Sequence, residues 1–538
     1  MNKLWRNFAA LLLAAALTLI GPLFVWAAQQ DIIILHTNDI HCGVNDNIGF
    51  AGVAQLKKEA LAQTPYVALV DAGDAVQGAP IGKLSKGEAV VNIMKALGYD
   101  FCVPGNHEFD YGMPRFLELA QKLQAGYYSA NFTGSENGKT ILQPYKLLDF
   151  GGVRIAFIGV TTPSTLTSST PLYFQNGKGE YLYSFCEDAD GKKLYRQLQK
   201  YIDQTRREGA QYVFLVAHLG LNGVQPKWSS ESVAKNTVGV TAVIDGHSHE
   251  GFVRVVQNKN GQDVLLAQAG TKLNRVGEIR ITPAGTLSAK LLTTAAGKDA
   301  AAERVISQEI AAYEPLLRQP VGEALVSLVS GDPQTGARLA RRQECSLADF
   351  AADAYQAVLG CDAALVNGGS VRNGLYEGLI SYQDILEAFP FDNRCISVEA
   401  TGQQLLDCLE LGAMRYPLES GAFMQAAGLT YTIDSTLPSS IVLDEKGNFV
   451  KTAGKYRVGD VIIKGQPLDL QEKYIIGGTT YILRNGGNGM TMFKNAKVVQ
   501  DTGLNDADAV LEYLQNYLNA VVGRQYADPY GSGRIKIK

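Results

Sequence analysis

No histidine occurs after residue 249 of this 538-residue chain, so the six that it has all lie in its first half. Cysteine is scarce as well. Seven residues (Cys42, Cys102, Cys186, Cys345, Cys361, Cys395 and Cys408) form no CxxC pair. For a chain of this length they are too few for a disulfide framework, and at least one must stay unpaired. There is no basic tract, which argues against nucleic-acid binding. Beyond the first 28 residues no apolar run reads as a transmembrane helix. Net charge is only −4, and about −6 without the leader that carries Lys3 and Arg6. With 46% hydrophobic and 19% charged residues, a chain this long reads as two large globular domains.

The leader has a definite pattern. Lys3 and Arg6 precede an apolar stretch from Phe8 to Trp26, broken by Gly21 and Pro22, and Val25-Trp26-Ala27 offers a small-residue cleavage site. Residues 1–28 are therefore expected to be a signal peptide, making the protein exported, to the periplasm or cell surface. An uncleaved anchor is the alternative. No lipobox cysteine accompanies the leader.

The histidines stand in five motifs: HTNDIH (36–41), DAGD (71–74), GNHEFD (105–110), AHLG (217–220) and DGHSH (245–249). Each follows a short apolar run (DIIIL, VALV, FCV, YVFLV, TAVI), too short for a free-standing helix and rich in β-branched residues. These runs are predicted to be buried parallel strands whose carboxyl ends converge on one crevice, where α/β sheets place their sites.

The residue types at those ends suit a pair of divalent ions. Two closely spaced cations need about eight protein ligands and a bridging carboxylate that offsets their repulsion. Asp74 is the natural bridge. Asp39 and His41 leave a strand end at i and i+2, and Asn106, His218, His247 and His249 can complete the two shells. The uncharged Asn106 keeps the site from becoming too anionic for a phosphate. His107, beside a ligand but not needed as one, is placed to donate to a phosphoryl or leaving-group oxygen, with Asp110 fixing its tautomer. His36 is expected to support the ligands and not to bind metal. Cys42, next to His41, reads as a small space-filling residue, with a soft-metal role as the other possibility. Zn²⁺ and Mn²⁺ both fit such N/O ligands.

In order and spacing, the set DxH, GD, GNHE, H and GHxH resembles the calcineurin-like metallophosphoesterases, and HTNDIH with GNHEFDYG resembles their 5'-nucleotidase branch. The resemblance covers nearly all of the chain after the leader. It implies an α/β protein with a four-layer metallophosphoesterase domain at 29–295, β-sheets flanked by helices. A second α/β, substrate-binding domain would follow at 319–538. Between them KDAAAERVISQEIAAYEPLLRQ reads as a linker helix over 296–318. Strands are expected at 363–366, 394–400 and 473–479, and helices near 345–358, 401–414 and 505–520.

The same resemblance assigns substrate contacts to the second domain. Arg341, Asn367 and Arg372 would meet phosphate, ribose or base, the arginines with bidentate donors. Phe423 would stack on a nucleobase. Where relatives carry a second aromatic jaw and a ribose-binding acid, this chain has Ile482, next to Tyr481, and Asn488. The expected activity is phosphate release from nucleoside 5'-monophosphates, with UDP-sugars as further substrates. A 2',3'-cyclic nucleotide phosphodiesterase or nucleotide pyrophosphatase on the same centre is the alternative enzyme, and a non-catalytic nucleotide-binding protein the alternative of another class. The expected partner is a nucleotide, with no nucleic acid and no lasting membrane insertion. Nothing in the sequence speaks to oligomeric state.

Overall fold

The computed structural model describes residues 30–221 and 226–538. The leader expected at 1–28 lies outside the described residues. Among the described residues no helix is long and apolar enough to cross a membrane.

The five apolar runs are strands, but they divide between two sheets. Ile32–Thr37, Val67–Asp71 and Phe101–Cys102 run parallel in a five-stranded sheet, with the antiparallel strands Val276–Ile281 and Leu287–Leu292 beyond the first. Tyr212–His218 and Ala242–Asp245 run parallel in a six-stranded sheet beside Val153–Thr161. A strand buried on both faces reads as a continuous apolar run whether a helix or another sheet covers it. That ambiguity hid the split. Ile32, Ile34, Val70 and Phe101 of one sheet pack against Phe157, Phe214, Val216 and Ile244 of the other. Helices Gly49–Leu61, Glu88–Leu97 and Met113–Lys122 cover the first sheet outside, and Lys192–Arg207 and Ser230–Asn236 cover the second. The order is helix, sheet, sheet, helix, which gives the four layers expected.

The helical pattern after residue 296 becomes helix Ala300–Ala311 and a short helix Glu314–Leu317. The first is capped by Asp299, which accepts from Ala301 N and Ala302 N at 2.9 and 2.8 Å. It does not stand free. Ala302 and Ile306 are buried in the core of the first domain, and Lys58 pairs with Asp299 at 2.6 Å.

The second domain centres on a five-stranded sheet in the order Met424–Ala427, Ala363–Asn367, Lys473–Thr479, Arg394–Thr401, Lys497–Asn505. Helix Ser346–Leu359 packs on one face and Gly402–Ala413 on the other. The helix expected near 505–520 is helical only as Asp506–Glu512 and a π turn, Tyr513–Tyr517. All seven cysteines are buried and unpaired. Cys42 packs in the core of the first domain, where burial pushes its thiol up to about 12, as its space-filling reading requires.

Candidate metal centre and substrate cavity

Strand ends from both sheets meet at one point, and their carboxylates and imidazoles form two clusters: Asp39, His41 and His249, and Asp74, His218 and His247. The chain reaches this arrangement through unusual backbone. Asp39, His41, Asp74, His247 and His249 all have positive φ, between 48° and 78°. Such conformations are costly for non-glycine residues and persist where surrounding contacts enforce them. Gly105 provides the close approach, since a Cβ there would lie 2.2 Å from Asp74 Oδ1 and 2.8 Å from His218 Cε1.

Backbone carbonyls set the imidazole tautomers. His41 Nδ1 donates to Gln77 O at 2.9 Å, and His218 Nδ1 donates to Ala72 O at 2.8 Å, so each ring turns Nε2 into the centre. His41 Nε2 and His249 Nε2 lie 3.0 Å apart, His249 Nε2 is 3.3 Å from Asp39 Oδ1, and His218 Nε2 is 3.0 Å from Asp74 Oδ2. Burial holds His41, His247 and His249 below the usual histidine value, His247 at about 3, so these rings are neutral and keep a lone pair. At His218 burial also disfavours charge, but Asp74 outweighs it and lifts the ring to about 10. A cation competes with that proton for the ring nitrogen.

The residues fit a pair of divalent ions. Asn106 Oδ1 is buried without a hydrogen-bond partner, although buried polar atoms are normally paired, and His218 Nε2 faces only the Asp74 carboxylate. Asp39, His41, Asp74 and His249 would hold one ion, and Asp74, Asn106, His218 and His247 the other, a donor set of carboxylate, imidazole and amide.

His107 stands beside this set and outside the two clusters. Its Nδ1 donates to Asp110 Oδ2 at 2.6 Å, and Asp110 Oδ1 accepts from Ser169 Oγ at 2.8 Å. Burial works against the charged ring, but Asp110 and Asp74 outweigh it and raise its pKa above the usual value. His36 departs from expectation. Both its nitrogens are buried without a partner, and it packs over Gly277 instead of supporting a ligand.

Glu108 was not singled out in the sequence, yet it braces two ligand loops. Its carboxylate accepts from the backbone N of Asp74, Ala75 and Gly105 at 2.8, 2.7 and 2.6 Å. The signal in the sequence is the acid inside GNHE, two residues after Asn106. Asn38 is another, donating to Asp39 Oδ2 at 2.6 Å.

The metal centre opens into a cavity of about 510 Å³ lined by both domains. Arg341, Asn367, Arg372 and Asn488 line it, together with Arg338, Arg415 and Tyr481. Asn367 Nδ2 and Asn488 Nδ2 each donate to Gly421 O at 3.1 Å. Arg372 Nη2 comes within 3.5 Å of His107 Nε2. Tyr481 Oη donates across the domain gap to Thr167 O at 3.0 Å.

Phe423 and Ile482 do not belong to this wall. They are 1% and 0% exposed and sit in the core between the second domain's sheet and helix Gly402–Ala413. The expected base contacts at these two residues are thereby corrected. Next to a Gly-rich turn, a hydrophobic residue can face the cavity or the core, and here the larger apolar burial lies inward while Tyr481 takes the cavity side. Phe423→Ala should therefore cost about 3–5 kcal/mol of stability, measured by urea denaturation, and leave KM of the folded enzyme nearly unchanged.

Two family models match the chain, that of calcineurin-like phosphoesterases over residues 32–251 and that of the 5'-nucleotidase C-terminal domain over residues 320–495. Protein UshA of Escherichia coli is 26% identical, over 95% of this chain and 96% of its own length. The trifunctional nucleotide phosphoesterase YfkN of Bacillus subtilis is also 26% identical, but this chain spans only 35% of it. Among solved structures, a 5'-nucleotidase precursor from Thermus thermophilus superposes with a TM-score of 0.79 at 26% identity, covering 94% of this chain and 99% of that one. With the clustered ligands of the first domain and the arginine-lined cavity against the second, these matches show that the chain belongs to the calcineurin-like phosphoesterases with a 5'-nucleotidase C-terminal domain, and is a metal-dependent phosphoesterase.

Proposed function

We propose that the protein is an exported 5'-nucleotidase that releases orthophosphate from nucleoside 5'-monophosphates, with UDP-sugars as further substrates. One observation carries this reading: the two ligand clusters and the guanidinium groups of Arg341 and Arg372 face a single cavity between the domains, large enough for a nucleotide. Two of the related proteins named above, the nucleotide phosphoesterase YfkN and the Thermus thermophilus 5'-nucleotidase precursor, carry nucleotide chemistry in their names, and the leader pattern supports export. The domains would run over 29–295 and 319–538, joined through 296–318.

Zn²⁺ or Mn²⁺ held by the two clusters would polarise a phosphoryl group and stabilise its developing charge. The chain's own groups do the rest. Arg341 and Arg372 bind phosphoryl oxygens; burial, with Arg338 as a neighbouring like charge, lowers both guanidinium groups, Arg372 to about 10. His107 holds a proton at Nε2 toward the leaving-group oxygen, and Asp110, fixed by Ser169, keeps the other nitrogen protonated. Arg338, paired with Glu419 at 2.5 Å, and Tyr481 bound the end where the nucleoside would lie.

The test is chromatographic product analysis with AMP (adenosine and orthophosphate expected), UDP-glucose (UMP and glucose 1-phosphate) and 2',3'-cyclic AMP (an adenosine monophosphate), by protein stripped with a chelator and reloaded with Zn²⁺ or Mn²⁺. AMP should be the fastest. Turnover confined to the cyclic substrate would replace this reading with the diesterase one, and nucleotide binding without turnover in any metal would replace it with a non-catalytic role.

A further inference from the structure

One second-domain side chain touches both the histidine expected to carry the proton and the arginine beside it. Phe391 lies in the segment 390–393, which lines the cavity, and its ring is 5.9 Å from the His107 ring at 37°. The Arg372 guanidinium carbon stands over the same ring at 5.1 Å from its centroid. Lys83 of the first domain pins the segment by donating from Nζ to Phe391 O at 2.6 Å, with Asn505 Oδ1 at 3.4 Å and Asp506 Oδ1 at 3.7 Å from the same nitrogen. Arg372 has little else to orient it. Its Nε is buried without a hydrogen-bond partner, and Asp110 and Asp74 attract it without forming an ion pair among the described residues. A guanidinium facing an aromatic face gains electrostatically and loses rotational freedom, and the gain grows when water is excluded.

We propose that Phe391 is a positioning residue: its ring seats the Arg372 guanidinium beside His107, so that both groups address one phosphoryl group when the domains meet. The proposal rests on the phosphomonoesterase reading above, but its primary measurement does not require turnover. Inorganic phosphate binding to the metal-loaded protein is measured by calorimetry for wild type, Phe391→Leu, Arg372→Met and the double variant. Phe391→Leu should weaken phosphate binding about 2- to 30-fold, the range of a cation–π contact, with metal content unchanged. Phe391→Tyr, which keeps the ring face, should recover most of that loss. The double variant should bind no more weakly than Arg372→Met alone, within about twofold, because the ring acts only through the arginine.

Additive losses in the double variant, or a Phe391→Tyr no better than Phe391→Leu, would overturn the proposal, leaving Phe391 a piece of apolar wall. Should Phe391→Leu prove misfolded by its melting curve, Lys83→Met loosens the same segment from the other domain and must show the same non-additivity with Arg372→Met. Wild type that binds phosphate yet hydrolyses neither AMP nor p-nitrophenyl phosphate would sink the functional reading alone. Wild type that binds no phosphate would sink both.

Discussion

Asp74→Asn is expected to lower turnover about 10³-fold or more and to release at least one metal equivalent while the fold stays intact. The carboxylate has no substitute in the centre. Its Oδ2 lies 3.0 Å from His218 Nε2, its Oδ1 accepts from His107 N at 2.8 Å, and it is the acid of the cluster that holds His218 and His247. Burial alone would favour its neutral form, but His218, His107 and His41 outweigh burial and hold it well below the usual carboxylate range. An amide of the same shape keeps the contact with His107 N and removes the charge that offsets two cations. Metal content by atomic emission and steady-state rates on AMP check the prediction together. An Asp74→Asn protein that keeps both metals and a near-wild-type rate after chelation and dialysis would refute the shared-bridge arrangement.

His107→Ala is expected to lower kcat roughly 10²- to 10⁴-fold with both metals retained. The ring contributes to neither ligand cluster, and its Nδ1 is committed to Asp110 at 2.6 Å. What the substitution removes is a donor at Nε2, on the side where Arg372 approaches. Asp110→Asn should act in the same direction and less strongly, since Ser169 can still hold the side chain while the pull on the imidazole proton weakens. Loss of a metal equivalent in His107→Ala would make the residue a ligand. Rates on p-nitrophenyl phosphate separate the two effects further, because its good leaving group needs less proton donation than the ribose oxygen of AMP.

The metal centre was legible in the sequence because its chemistry is local to five short motifs. A strand end gives each ligand a fixed direction, and residues such as Asp39, His41, Asp74 and His218 are rarely needed at that density for anything else. The same pattern concealed the supports. Glu108 and the carbonyls of Gln77 and Ala72 act through backbone contacts, and a backbone acceptor has no signature in the residue that bears it. His36 shows the opposite failure, a histidine in a ligand motif that packs against Gly277.

The sequence by itself determined the α/β class and the gathering of His41, His107, His218, His247 and His249 at one centre, since these follow from residue type and spacing along the chain, while the family resemblance pointed to the arginines and asparagines that reach the cavity. Tertiary structure alone decided which sheet each strand joined, because a strand covered on both faces has the same apolar text in one sheet or two. It also decided the cavity wall. Phe423 and Ile482 turned into the core while Tyr481 and Phe391 faced the site, and which side of a turn a hydrophobic residue buries depends on the partner surface that the rest of the fold presents.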